Sequence, residues 1–261
     1  MNNHEIDYKL YGDDMQFVEI ELDPQETVVA EAGSLMMMKD NIRMETIFGD
    51  GSSNQQGGFV EKLIGAGKRV ITGESLFMTT FTNQGAGKNH VSFASPYPGK
   101  IIPMDLSELN GKIICQKDAF LAAAKGVSVG VEFQRRIGTG FFGGEGFIMQ
   151  KLEGDGMAFV HAGGTIHQQT LKHGEKIKVD TGCLVAMTGN VDYDIEFVGG
   201  IKTALFGGEG IFFATLTGPG TVWVQSLPFS RLASKVFAAL PEKGGNKGEG
   251  GIGGVFDLFN K

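Results

Sequence analysis

Short stretches of this 261-residue chain alternate between hydrophobic and polar residues with a period of two. Val127, Val129, Val131 and Phe133 are separated by Ser128, Gly130 and Glu132; Val191, Tyr193, Ile195 and Phe197 are separated by Asp192, Asp194 and Glu196. Successive side chains of a strand point to opposite faces, so this alternation predicts strands with one buried and one wetted face. Phe147-Ile148-Met149 and Ile211-Phe212-Phe213 are apolar at every position, which predicts cover on both faces, as in a sandwich or closed barrel. No segment of about 10–15 residues between strands carries a helical period, so a parallel βαβ sheet is not expected. One helix is predicted over 230–240. Ser230 is its cap, Leu232, Val236, Phe237 and Leu240 recur at helical spacing, and Pro241 with Gly244 ends it. A linker, GGNKGEGGIGG, and an apolar tip at Val255, Phe256, Leu258 and Phe259 follow.

The strand pattern repeats. Phe142-Gly-Gly-Glu-Gly146 recurs as Phe206-Gly-Gly-Glu-Gly210, 64 residues later, and 16 of the 48 pairs between 113–160 and 177–224 are identical at that offset. Ile113, Val127, Phe133, Leu152 and Val160 fall on Ile177, Val191, Phe197, Leu216 and Val224, so core positions coincide. A more diverged copy lies upstream. Gly73-Glu74-Ser75-Leu76 matches the Gly-Glu turns, and Leu35 with the Met36–Met38 run takes the place of Leu121 and Val185. Asn83-Gln-Gly-Ala-Gly87 takes the place of the Gly-x-Gly turns, and the polar, glycine-rich start of an insertion over 49–68 reads as a loop. The expected organisation is copy one over 1–107, copy two over 108–172, copy three over 173–229, and a helix with a glycine-rich tail over 230–261. The expected fold is all-β, with three tandem antiparallel sandwich- or barrel-like modules and one C-terminal helix.

Composition narrows the function. Glycine, at 41 residues, is about twice its usual share of roughly 7% and has no Gly-X-Y period, so it marks many tight turns. A net charge of −7 with scattered basic residues argues against nucleic acid as a partner. Cys115 and Cys183 form neither a metal spacing nor a disulfide framework, and free buried thiols are expected. The start MNNHEIDYKL has no signal-peptide pattern and no apolar run reaches the ~20 residues of a membrane span, so a cytoplasmic location is expected, with peripheral membrane contact through the tail as an option.

Motifs of chemistry are sparse. Gly138-x-Gly140-x-x-Gly143 spells a dinucleotide fingerprint, but strand-like residues follow where the helix receiving the pyrophosphate is required. No Gly-x-Ser-x-Gly elbow and no His-x-His metal pair is present. His161 and His167 flank Gly163-Gly164, and 64 residues later Gln225 and Arg231 replace them, so they are expected as surface or strand-edge residues and not as ligands. No cofactor is expected. Glu74, Glu145 and Glu209 recur at turns entering apolar strands: they cap turn N–H groups, or they gather around an axis to hold a cation or a partner. Phe142 and Phe206 precede two of these turns, as core plugs or as part of a subunit interface.

The three G-E-[SG]-[LFI] turns, the stretch Thr72-Gly-Glu-Ser-Leu-Phe-Met-Thr-Thr-Phe81, the doublet FFGGEGF/LFGGEGI and the run from Glu31 to Met38 resemble the altered-inheritance-of-mitochondria 24 family over about residues 5–228. The resemblance implies a fold like that of the tryptophan RNA-binding attenuation protein, a pseudo-threefold arrangement of the modules, and assembly into oligomers. Mitochondrial relatives are associated with inner-membrane organisation, and this chain looks like one of the bacterial members, which mostly lack an assigned activity. It implies neither RNA nor tryptophan binding.

Three functions are therefore expected in order: a non-enzymatic, homo-oligomeric scaffold or interaction protein; a small-ligand or ion-binding module with its site at repeat or subunit junctions; and a peripheral membrane protein using residues 230–261.

Overall fold

The computed structural model describes residues 6–48, 77–135, 147–197 and 212–239. The first segment holds β1 (Asp7–Tyr11), β2 (Phe17–Leu22), β3 (Thr27–Glu31), β4 (Leu35–Met38), β5 (Ile42–Phe48), β6 (Phe77–Asn83), β7 (Asn89–Ala94) and β8 (Gly99–Asp105). The second holds β9 (Lys112–Gln116), β10 (Phe120–Ala124), β11 (Ser128–Arg135), β12 (Phe147–Glu153), β13 (Met157–Gly163) and β14 (Ile166–Leu171). The third holds β15 (Lys176–Asp180), β16 (Leu184–Thr188), β17 (Asp192–Phe197), β18 (Phe212–Thr217) and β19 (Gly220–Gln225), and the helix α1 (Phe229–Ala238) follows. The fold is all-β with one helix. β9, β10 and β11 begin at 112, 120 and 128, and β15, β16 and β17 begin at 176, 184 and 192, each 64 later. A 3-10 turn joins the first two strands in both cases, over Lys117–Ala119 and Thr181–Cys183.

The strands form four separate antiparallel sheets, and among the described residues none closes into a barrel. Their orders are β1-β2-β7-β4, β5-β6-β3-β10-β13-β8, β11-β12-β9-β16-β19-β14 and β15-β18-β17. The segments are interleaved. The second sheet takes β5-β6-β3 from the first segment, adds β10-β13 from the second and closes with β8; the third takes β11-β12-β9, adds β16-β19 and closes with β14. Each segment is thus covalently continuous but split between two sheets, and backbone pairing at β3·β10 and β9·β16 stitches successive segments together. Glycine at β13 makes one crossing possible: a Cβ on Gly163 would run into the Leu227 carbonyl, and one on Gly99, its partner on β8, into the Ala162 carbonyl. Gly99→Ala is therefore expected to cost about 2 kcal/mol, read as a lower urea midpoint with unchanged slope.

Three cores lie between the four sheets. Val18, Ile20 and Phe93 of the first sheet meet Val28, Phe81 and Phe159 of the second. Val29, Met78 and Val160 of the second meet Ile113, Leu152 and Trp223 of the third. Ile114, Met149 and Met187 of the third meet Ile195, Ala214 and Leu216 of the fourth. Both faces of the two middle sheets are therefore covered, which explains the unbroken apolar run Phe147-Ile148-Met149.

Two expectations need correction. A bulge skips one residue where β4 pairs with β7, where β10 pairs with β13 and where β16 pairs with β19, so Leu35, Phe120 and Leu184 are equivalent. The alignment of Leu35 with Leu121 and Val185 is off by this one residue, because a bulge inserts a position that periodicity does not register. The helix begins one residue early, with Pro228 at its cap and no side-chain cap bond, so Ser230 lies inside it. Val236 and Phe237 of its apolar spacing are more than half exposed.

Candidate functional site

The sequence candidates Glu74, Glu145, Glu209, Phe142 and Phe206 lie outside the described residues, as does Gly138–Gly143. The polar chemistry that is described concentrates where each segment turns from its first strand to its second.

At β19, the Gln225 side chain donates through Nε2 to the carbonyl of Gly182 at 2.8 Å and accepts from the Gly163 amide at 2.7 Å. Three pieces of chain from two segments are thereby tied by one buried amide, which leaves neither end unsatisfied. Sixty-four residues earlier, His161 on β13 makes the corresponding bond to the backbone carbonyl of Asp118 in the other 3-10 turn. The His-to-Gln exchange therefore preserves a hydrogen bond. His161 is 2% exposed, which corrects the expectation of a surface or strand-edge residue. Its Nδ1 makes no hydrogen bond to protein, and the Tyr97 ring packs edge-on against the imidazole at 4.7 Å. Burial holds the imidazole at a pKa of about 4, against an opposing effect of the Asp118 bond, so it is neutral at physiological pH. His167 is exposed, as expected.

Glu31 ends β3 near the same turn. Burial, reinforced by the Asp118 charge and opposed by Lys117, pushes its carboxyl up to about 7. Burial also raises the Tyr97 phenol, and it pushes the Cys115 thiol up to about 12. A thiol with so little thiolate is a poor nucleophile, so Cys115 acts as a small core side chain. Cys183 is free and half-buried. Asp180 accepts from the Gly182 amide at 2.8 Å and pairs with Arg231 at 3.2 Å, which fastens α1 to the end of β15. Among the described residues no group of three His, Cys, Asp or Glu side chains could hold a metal ion. These groups individually pin turns to strands.

The other unusual surface is a bare sheet edge. β4 pairs only with β7, and its Met36, Met37 and Met38 are 50%, 48% and 41% exposed. At the far end of the fold β15 pairs only with β18. Sequence pattern placed the methionines on a strand; their exposure depends on which strand lacks a neighbour, which local pattern does not carry. Among the described residues no helix is long and apolar enough to cross a membrane.

Comparison with known proteins agrees with the residues that carried the resemblance. An uncharacterized protein of Streptococcus pyogenes serotype M6 is 32% identical over 232 residues, covering 87% of this chain and 88% of that protein. The X-ray crystal structure of a Streptococcus pyogenes protein matches with a TM-score of 0.72 at 25% identity, covering 90% of this chain and all of that one. The family model described as mitochondrial biogenesis AIM24 matches residues 8–227, and the chain belongs to that family.

Proposed function

We propose that this protein is a non-enzymatic scaffold or interaction protein that works as a homo-oligomer. The observation that carries this reading is the pair of unpaired strand edges, one of them lined by three exposed methionines. An exposed apolar edge strand templates pairing with another chain, and folds whose edges serve no purpose blunt them with charges, proline or a covering loop. The buried polar groups support the reading in a second way: His161, Gln225 and Asp180 are committed to turns, which favours rigidity. Sedimentation velocity at micromolar concentration is expected to give a species heavier than the 27.9 kDa chain; a monomer across that range would contradict the reading.

One observation favours a peripheral membrane role beside it. Phe229, Val236 and Phe237 of α1 are each more than half exposed, and Arg231 and Lys235 lie on the same helix. Apolar side chains with neighbouring cations suit an anionic lipid surface. The full chain is expected to float with vesicles containing phosphatidylserine, and Val236→Ser with Phe237→Ser to weaken this severalfold; equal flotation of both proteins would dismiss a role for the helix.

A further inference from the structure

Counting the parts of the fold shows a junction that the chain opens but does not close. Each middle sheet consists of a three-strand group, a two-strand pair and a closing strand. The chain contains three groups (β5-β6-β3, β11-β12-β9 and β17-β18-β15), three pairs (β10-β13, β16-β19 and β4-β7) and three closing strands (β8, β14 and β2). Two sheets are complete. The third is divided: the group β17-β18-β15 stands alone as the fourth sheet, and β4-β7 with its closing strand β2 stands in the first. The slot beside β7 is filled by β2, and the chain that follows β19 forms α1 instead of a strand. The set is therefore balanced, and the missing bond is β15·β4.

We infer that β15 of one chain pairs antiparallel with β4 of a second copy, joining the fourth sheet of one to the first sheet of the next and linking copies head to tail. This rests on the homo-oligomeric reading above and names the surface that makes it.

Register and burial support the pairing independently. At β3·β10, Ala30 faces Ala122 and Val29 faces Ala123; at β9·β16, Cys115 faces Ala186 and Ile114 faces Met187. Carrying these through the shared bulge and the offset of 64 sets Val179 opposite Met37, Lys178 opposite Met38 and Ile177 opposite Lys39. The residues at the two formed junctions are dry: Ile113, Cys115, Ala122, Ala186 and Met187 are all 0% exposed. Their counterparts are not. Ile177 and Val179 are only half-buried, at the rim of the third core, and Met37 and Met38 are 48% and 41% exposed. The same position therefore changes from fully dry to wet only where the neighbouring sheet is missing. Met36 and Met37 replace Leu121-Ala122 and Val185-Ala186, which in the formed junctions lie over the paired strand within the core. In the joined sheet they cover Ile177 and Val179. The opposite face stays wetter, since Lys178 stands where Val29 and Ile114 are buried, and its stem lies along Met38. Antiparallel sheets tolerate one such solvated face.

A second copy is the partner because self-closure is not made: the first and fourth sheets stand at the two ends of the packing order, with the second and third between them. Like all head-to-tail contacts this one is heterologous, and it generates a ring when the rotation closes.

The test uses the full chain. Met36→Glu with Met37→Glu changes only side chains already exposed, so the fold is retained, but at the junction it buries two carboxylates without partners and is expected to weaken assembly by at least ~100-fold. In a Cys183→Ser background, chains carrying Met38→Cys and chains carrying Lys178→Cys are mixed and treated with a short bismaleimide. A covalent dimer is expected in the mixture and not from either chain alone. A chain carrying both cysteines that cross-links only within itself would overturn the inference in favour of self-closure. A glutamate variant that assembles as well as the unaltered chain would also overturn it, while leaving the oligomeric reading intact; an unaltered chain that is monomeric removes both.

Discussion

Phe81→Ala is expected to lower the free energy of unfolding by about 4 kcal/mol, and Phe93→Ala by about as much. Phe81 on β6 and Phe93 on β7 are 1% and 0% exposed, and their rings meet edge to face at 5.1 Å across the first core. Each truncation removes most of a ring's transfer free energy and leaves a void between two sheets whose backbones are pinned by their own ladders, so collapse cannot recover the contacts. The pair also holds the first sheet onto the second. Because the rings share a contact, the double variant should lose about 1 kcal/mol less than the sum of the singles. Urea titrations of the four proteins measure this; single losses below about 1.5 kcal/mol would show that these rings do not anchor the sheets.

The second large effect depends on pH. His161 is held at about 4 in the folded chain against an ordinary 6.5, so its contribution is fully present above pH 6.5 and is lost as pH falls through 4. Glu31 is held at about 7 against 4.5, so its contribution is fully present below pH 4.5 and is lost as pH rises through 7. Each shift amounts to about 3 kcal/mol at most, and the two act in opposite directions over nearly the same window. The unaltered chain should therefore show little change from this pair between pH 7 and 4.5. His161→Gln copies the residue found 64 positions later and removes the acid-labile half. Relative to the unaltered chain it should gain stability steadily on acidification, by about 2–3 kcal/mol at pH 4. Glu31→Gln should do the reverse, gaining near pH 7 and losing that advantage toward pH 4.5. Melts at four pH values separate these outcomes, and curves that stay parallel for all three proteins would contradict the assignment.

The offset of 64 was legible because core and turn positions reappear in register, and the structure starts β9 and β15, β10 and β16, and β11 and β17 at that spacing. Strand type was legible from alternation at Val127–Phe133 and Val191–Phe197. Pairing was not. β3 bonds to β10 over ninety residues downstream, and nothing in the local pattern of Thr27–Glu31 names that partner. The one-residue bulge after Leu35 escaped for the same reason, since it is defined by what lies opposite. His161 misled because a histidine beside Gly163-Gly164 looks solvated, yet β8 and the Asp118 turn enclose it. The exchange for Gln225 was the available signal: both side chains are planar and donate through one nitrogen while leaving an acceptor. The bare methionine edge was hidden in the same way, although alanine at 122 and 123 against methionine at 37 and 38 marks a change in what covers the strand.

Hydrogen exchange of the intact chain over a range of concentrations tests most directly whether its two ends form one junction between copies. Amides of Leu35–Met38 and Lys176–Asp180 are expected to be exposed in dilute solution and to gain protection together as concentration rises, while β3 and β9 stay protected throughout. Exchange in those two strands that is equally fast, or equally slow, at every concentration would contradict the account.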